Sequence, residues 1–319
     1  MDPSTSPVSA RLLDRARAWL FDPLPMHAMV ANRIILGAVV LSSYLIRLPA
    51  YSLLYGSDSV AWFPLYRGFA EDYWRPALAP LVTLVAELGL ARHVWMLFAL
   101  LLVASLSFCL GYRTRLAGGI TFVLHNFFWA LNPDTSWGWP LMLSSFLLYA
   151  TLAPSGHYCS IDAWRKTRRE GIPPPPVSRW VASAWAMRLL QINVCTMYLV
   201  AGWSRIDQPG WLEGIMLLEA ATNPSARIVT DWLRFQPILR VLTYFVFVLE
   251  PLAPFGLWIK PLRTWFALSL IAMHLGIELL VDVGWWNYVL ISGLLCFLPP
   301  SWLQAVFARG ILGKAGKET

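Results

Sequence analysis

Charge is what this chain is short of. Of its 319 residues only 13% are Asp, Glu, Lys or Arg, against roughly 25% in a soluble globular domain. So few charges cannot cover in water the surface of a chain that is 57% hydrophobic. An ordinary soluble enzyme is therefore excluded, and so is a disordered chain. Cysteine is scarce as well. Cys109, Cys159, Cys195 and Cys296 are the only four, and none forms CxxC. That excludes a disulfide scaffold and argues against a metal cluster or redox pair. No stretch interleaves basic and aromatic residues as a nucleic-acid groove does. The net charge of +7 is thus not read as a sign of a nucleic-acid partner. The polar start of the chain carries Arg11, Arg15 and Arg17 without an adjacent apolar core or small-residue cleavage site. It is read as a retained cytoplasmic segment rather than a signal peptide.

What is abundant is apolar sequence in long runs, with eighteen Trp. A span needs about 20 largely apolar residues. Such runs fall at 29–48, 94–111, 116–131, 137–153, 181–203, 238–258, 263–281 and 284–302. The stretch 78–91 is shorter and holds Pro80, Glu87 and Gly89. It is read as a ninth span, a re-entrant piece or an interfacial helix. Loop charge decides among these. With eight spans, fifteen basic residues share the side of both termini, seven share the other, and Arg33, Arg188 and Arg240 fall within spans. A ninth crossing would move the richest basic loop, 165–179, outside. The positive-inside rule therefore selects eight spans with both termini cytoplasmic, in the cell (inner) membrane.

The expected fold is an all-α, polytopic transmembrane bundle of about eight spans plus interfacial helices. Residues 1–28 form the cytoplasmic N-terminal segment, 29–302 the membrane domain, and 303–319 a cytoplasmic tail. A basic, proline-rich linker at 154–180 touches anionic lipid headgroups and separates the two halves. The segments 49–92 and 204–237 face outward and are rich in Trp, Tyr and Pro, as interfacial helices are. They are the natural place for a substrate mouth.

Ionisable side chains inside hydrocarbon are costly unless paired or hydrated, so each is a candidate functional residue. His274, Glu278 and Asp282 follow one another at i, i+4 and i+8, on one helix face. They share a proton, bind a metal with ligands from elsewhere, hold a polar ligand, or bond to neighbouring helices with Asp282 solvated; as a metal motif the spacing is weak, with a single histidine. Arg188, Gln191, Cys195 and Tyr198 approximate a second stripe. Glu250 precedes Pro251 deep in its run, with Arg33 or Arg240 as candidate partners. His125 is read as a packing residue with satisfied hydrogen bonds.

The stretch "LQINVCTMYLVAGWSRIDQPGWLEGIML" at 190–217 resembles the hallmark segment of the horizontally transferred transmembrane (HTTM) domain, the vitamin K-dependent γ-carboxylase-like membrane family. The matching residues are Leu190, Gln191, Tyr198, Ala201, Gly202, Arg205, Trp211 and Gly214. "NPDTSWGW" at 132–139, "HYCSIDAW" at 157–164, Glu250, and the His274 span followed by "GWWNYVLISGLLCFLP" extend the resemblance in order over most of 25–302. It implies Glu250, His274 and Glu278 as catalytic candidates, and Arg205, Gln191, Tyr198 and Trp211 as substrate-binding ones. The carboxylase uses a lysine base where this chain has Arg205, and arginine stays protonated. The carboxylase's other active-site histidine would fall near Trp139–Leu141, where this chain has none. Similar bacterial proteins work with a small partner protein in maturing a secreted peptide toxin. The resemblance thus implies action on a peptide or amphiphile at the outer face, with a quinone or lipid as cofactor. Two other readings stand beside it: a non-catalytic scaffold or accessory subunit, and a transporter. Arg205 holds an anionic oxygen at the outer mouth, or pairs with Asp207 or Glu213.

Overall fold

The computed structural model describes residues 8–63, 78–135, 139–173 and 175–315. Arg67, Arg75 and Lys317 of the loop-charge tally, and 136–138 of the "NPDTSWGW" motif, lie outside the described residues.

The apolar runs are helical over most of their described residues, but 181–203 opens on a short strand at Val181–Ser183 and 284–302 breaks into two helices. In chain order the helices are α1 (Val8–Phe21), α2 (His27–Arg47), α3 (Tyr51–Tyr55), α4 (Ala79–Glu87), α5 (Val94–Leu110), α6 (Thr114–Leu131), α7 (Trp139–Leu152), α8 (Ile161–Glu170), α9 (Trp185–Trp203), α10 (Pro209–Leu212), α11 (Met216–Thr222), α12 (Gln236–Gly256), α13 (Lys260–Leu280), α14 (Trp286–Leu294) and α15 (Pro300–Ala315). The chain is a multi-pass, all-α membrane bundle.

On length and apolarity, four helical stretches among the described residues suffice to cross a membrane: His27–Tyr55, Ala91–Leu110, Trp232–Gly256 and Lys260–Leu280. Trp286–Phe297 and Pro300–Arg309, bent by 110°, make a fifth if taken as one broken span. The remaining bundle helices are short, like α7, or carry polar residues, like α6 with His125 and Asn126 and α9 with Gln191 and Asn193. They can be more polar because neighbouring helices shield them. The stretch 78–91 resolves into α4, nine residues long, which is too short to cross.

Helices α2, α5, α6 and α7 pack together, as do α9, α12, α13 and α14; α14 then touches α2 and α7 and joins the halves. The outer helices turn large apolar side chains away from the protein, as lipid contact requires. Val241, Phe255, Trp265 and Leu279 are each more than 60% exposed. Between α2, α3, α5 and α6, the rings of Tyr44, Tyr55, Phe98 and Phe128 meet edge-on or tilted at 5.1–5.9 Å.

The contacts sort into two faces. The terminal face, which carries α1, holds the start of α2, the 111–114 turn, the linker, the start of α9 and the α12–α13 turn. A two-stranded antiparallel strap, β1 (Pro23–Pro25) with β2 (Val181–Ser183), ties the starts of α2 and α9 there, Leu24 pairing with Ala182. Arg33 is fully buried beneath this face. It donates to the carbonyls of Ser155 (2.7 Å), Tyr158 (3.2 Å) and Cys159 (2.5 Å), so Arg33 is committed to the linker and not to Glu250. The far face gathers the segments after α2 and α9 and the α13–α14 turn.

The α5–α6 turn is tight. Gly111 has φ +71° and Arg113 φ +44°, and a Cβ on Gly111 would lie 2.4 Å from Ser160. Asp162 of α8 holds this turn by accepting from the backbone N–H of Arg113 (2.8 Å) and Thr114 (2.9 Å) and from the Thr114 hydroxyl (2.8 Å). Burial works against its charge, but these hydrogen bonds, aided by Arg165, outweigh burial and keep its carboxyl below the usual range. A depressed carboxyl pKa contributes stability above the unfolded-chain value of about 3.9 and loses it as pH falls through the folded one. Asp162→Asn is therefore expected to flatten the acid side of the thermal-stability profile of detergent-solubilised protein below about pH 4, leaving the neutral side parallel to wild type.

Candidate functional site

Two polar clusters flank the second half of α9. The first depends on a close helix crossing. A Cβ on Gly202 would lie 2.8 Å from the backbone of Pro251, so only glycine lets α9 approach α12 this closely. Pro251, inside α12 with Pro254, lacks an N–H and leaves a carbonyl without its helical donor. The carboxylate of Glu250 stands beside this break and is buried. Arg205, just past the end of α9, turns back and forms an ion pair with it. The guanidinium also stacks on Trp211, 4.1 Å from the ring centroid. Glu250's partner is thus neither Arg33 nor Arg240, and Arg205's partner is neither Asp207 nor Glu213. Arg205, Glu250 and Trp211 come together as one unit.

The second cluster is a continuous hydrogen-bond network. Tyr198 Oη lies 2.8 Å from His274 Nε2, and His274 Nδ1 lies 2.9 Å from Asn287 Oδ1. Asn287 Nδ2 donates to Glu278 (2.9 Å), which accepts from Arg227 (2.7 Å). Arg227 also pairs with Asp282 at 3.3 Å. Its chemistry assigns the protons. The amide donates through nitrogen to a carboxylate, so its oxygen faces His274. His274 then donates from Nδ1, and Nε2 accepts from Tyr198. An amide link does not hand on protons, so the network fixes orientation rather than conducting. The i, i+4, i+8 spacing of His274, Glu278 and Asp282 is closed by Asn287 and Arg227. Backbone bonds from Arg227 to Leu280 (2.9 Å) and from Asp282 to Ser225 (2.9 Å) hold the 223–227 segment in place.

Gln191 belongs to neither cluster. It sits near the terminal face, accepting from Arg188 (3.1 Å) and donating to the Cys296 carbonyl (2.7 Å). His125 lies 3.1 Å from Tyr44 Oη through Nδ1.

A cavity of about 760 Å³ opens on the far face between the two halves. Ser43, Ile46, Arg47 and Thr135 contribute from one half; Asn223, Ser225, Ile277 and the 282–287 turn contribute from the other. Of the network that begins at Tyr198, Asn287 and Asp282 reach this wall. Glu250, His274 and Arg205 do not line it, so of the candidate residues read in the sequence Asp282 is the one that does. Arg47 is fixed by donation to the Thr135 carbonyl at 2.6 Å.

Sequence reasoning missed Asn287, Arg227, Arg47 and Trp285–Trp286. Asn287 carried a signal, being an amide inside an apolar run. Arg227 carried none beyond its far-face location.

A multi-pass helix bundle with buried charge partners on its central helices defines a class of integral membrane protein. The family model of the HTTM domain matches residues 71–302, and the chain belongs to that family. No curated protein and no solved structure matches the chain.

Removing one partner of a buried ion pair leaves the other charge uncompensated. Glu250→Ala is expected to cost about 3 kcal/mol, and Arg205→Ala together with Glu250→Ala less than the sum of the single changes. Unfolding of the three variants in detergent, followed by tryptophan fluorescence, measures the coupling; strict additivity would dissolve the pair.

Proposed function

We propose that this HTTM-family membrane protein holds an amphiphile at its far face and serves there in the modification or maturation of a peptide or small amphiphile, with a quinone as occupant. The observation that carries this reading is the far-face cavity joined to the Tyr198–His274–Asn287 network. Trp285, Trp286, Ile46 and Ile277 give it apolar walls, and Arg47, Asn223 and Asn287 give it polar groups. A quinone or an acyl-chain amphiphile offers oxygens to such donors and carbon to such walls. The fifteen-to-seven bias in loop charge supports a far face directed outward, with both termini cytoplasmic. The His274 network keeps Asn287 in one orientation, which favours a fixed polar head in the cavity.

One observation favours a second reading, a non-catalytic component of the same process working with a partner protein. Each candidate catalytic side chain is already engaged: Glu250 by Arg205, His274 by Tyr198 and Asn287, Glu278 by Arg227 and Asn287.

Titration of the purified protein with a short-tailed ubiquinone, read as quenching of tryptophan fluorescence, tests the binding claim. We expect saturable quenching in wild type, weakened about tenfold in Asn287→Leu, which removes the polar contact, and abolished in Ser43→Trp, which fills the cavity. Equal quenching in all three would discard the cavity as the binding site. Peptide maturation that survives His274→Ala with normal folding would select the non-catalytic reading.

A further inference from the structure

On the opposite side of the bundle, a second and smaller cavity lies at the terminal face. It measures about 130 Å³ and is bounded by the starts of α2, α9, α13 and α15. Its polar lining is cationic and amide: Arg188, Arg263, Gln191 and His27, with no carboxylate among the residues that line it. Arg188 spends its hydrogen bonds on the Trp19 carbonyl (3.3 Å) and Gln191 (3.1 Å), and its face on the Trp19 ring at 4.7 Å. Arg263 donates to the carbonyls of Leu257 (3.0 Å) and Trp258 (3.5 Å). Among the described residues neither guanidinium forms an ion pair, so two half-buried positive charges face one small space without an acid.

His27 supplies the independent observation. It is 2% exposed, and its Nε2 is committed to the Val177 carbonyl at 2.8 Å. Its Nδ1 is buried with no hydrogen-bond partner. With Nε2 donating to that carbonyl, the neutral ring keeps Nδ1 as an acceptor, and a singly protonated phosphate monoester matches the set: its oxygens accept from both guanidiniums and its P–OH donates. The surroundings say what carries that phosphate. Leu24, Met187 and Leu298 form the apolar part of the wall. Helix α1 lies alongside with Leu12, Leu13 and Trp19 exposed, as in a helix resting at a membrane surface. Basic pockets between membrane helices at headgroup depth suit phosphate heads, and guanidinium is the side chain best matched to them.

We infer that this terminal-face cavity, lined by His27, Arg188, Gln191 and Arg263, is a binding site for a phosphate head. It stands apart from the far-face cavity, and neither reading needs the other. Native mass spectrometry of the full-length protein in detergent tests it, with dioleoyl phosphatidic acid, dioleoylglycerol and inorganic phosphate as probes. We expect saturable phosphatidic acid adducts in excess of dioleoylglycerol adducts, the excess weakened about tenfold in Arg263→Gln but kept in Arg263→Lys. Asn287→Leu should leave that excess unchanged. Displacement of the lipid by millimolar inorganic phosphate assigns the site to the free ion; retention assigns it to the lipid. A photoreactive phosphatidic acid should crosslink wild type at peptides containing His27, Arg188 or Arg263, which keeps the test open should Arg263→Gln fail to fold. Wild-type affinity in Arg263→Gln, equal binding of dioleoylglycerol, or crosslinks confined to other regions would overturn the assignment.

Discussion

Hydrocarbon offers a polar side chain nothing to bond to, and this bundle is organised around that fact. Every ionisable group the sequence puts at membrane depth has to be answered by another part of the protein, and those answers bring distant segments together. Arg33 satisfies three carbonyls of the linker that follows α7. Asn32 donates to the Ser292 carbonyl of α14 at 2.9 Å, tying the two halves. Ser144 donates to Asn126 across α6 and α7 at 2.9 Å. These contacts specify which helices neighbour one another, because apolar surfaces packed in lipid have little preference of their own.

Helix α9 is the axis on which the functional groups are arranged. Its inner stripe runs from Gln191 near the terminal face, through Tyr198 on the His274 network, to Gly202 at the crossing with α12. Arg205 follows just beyond. Glycine at that crossing has an indirect electrostatic role. By letting α9 approach α12 at Pro251, it sets the reach over which Arg205 finds Glu250. Trp211 then covers the guanidinium's face, an arrangement worth more where water is scarce. The two clusters differ in kind: one neutralises a buried charge, while the other orients an amide toward the space between the halves.

Much of the architecture was legible in the chain. Apolar runs marked the helices of the bundle. The hallmark segment of the HTTM resemblance rested on Leu190, Gln191, Tyr198, Ala201, Gly202, Arg205, Trp211 and Gly214; of these Gln191, Tyr198 and Gly202 fall on the inner stripe of α9, and Arg205 and Trp211 join Glu250. Pairing was less legible. Glu250 lay as plausibly near Arg33 or Arg240, because helix spacing says which face a residue occupies and not what turns back onto it. Arg205 reaches Glu250 only because the chain reverses after α9. The far-face cavity was hidden for a related reason: its walls come from α2, the 223–225 segment and the α13–α14 turn, which no local pattern links. Asn287, an amide in a run of Trp and Leu, and Asp282, at the end of the His274 stripe, were its readable signs.

The strap between β1 and β2 has a consequence for the order in which this protein is assembled. Leu24 leaves the ribosome early, yet its ladder partner Ala182 follows only after the whole first half has been made. Arg33 likewise waits for the carbonyls of Ser155 to Cys159 while its own helix is already in place. The first half therefore enters the bilayer with its anchoring backbone and its most deeply buried cation both unanswered. Synthesis through the linker and the start of α9 is what completes it, so the two halves mature as one cooperative unit rather than as successive domains.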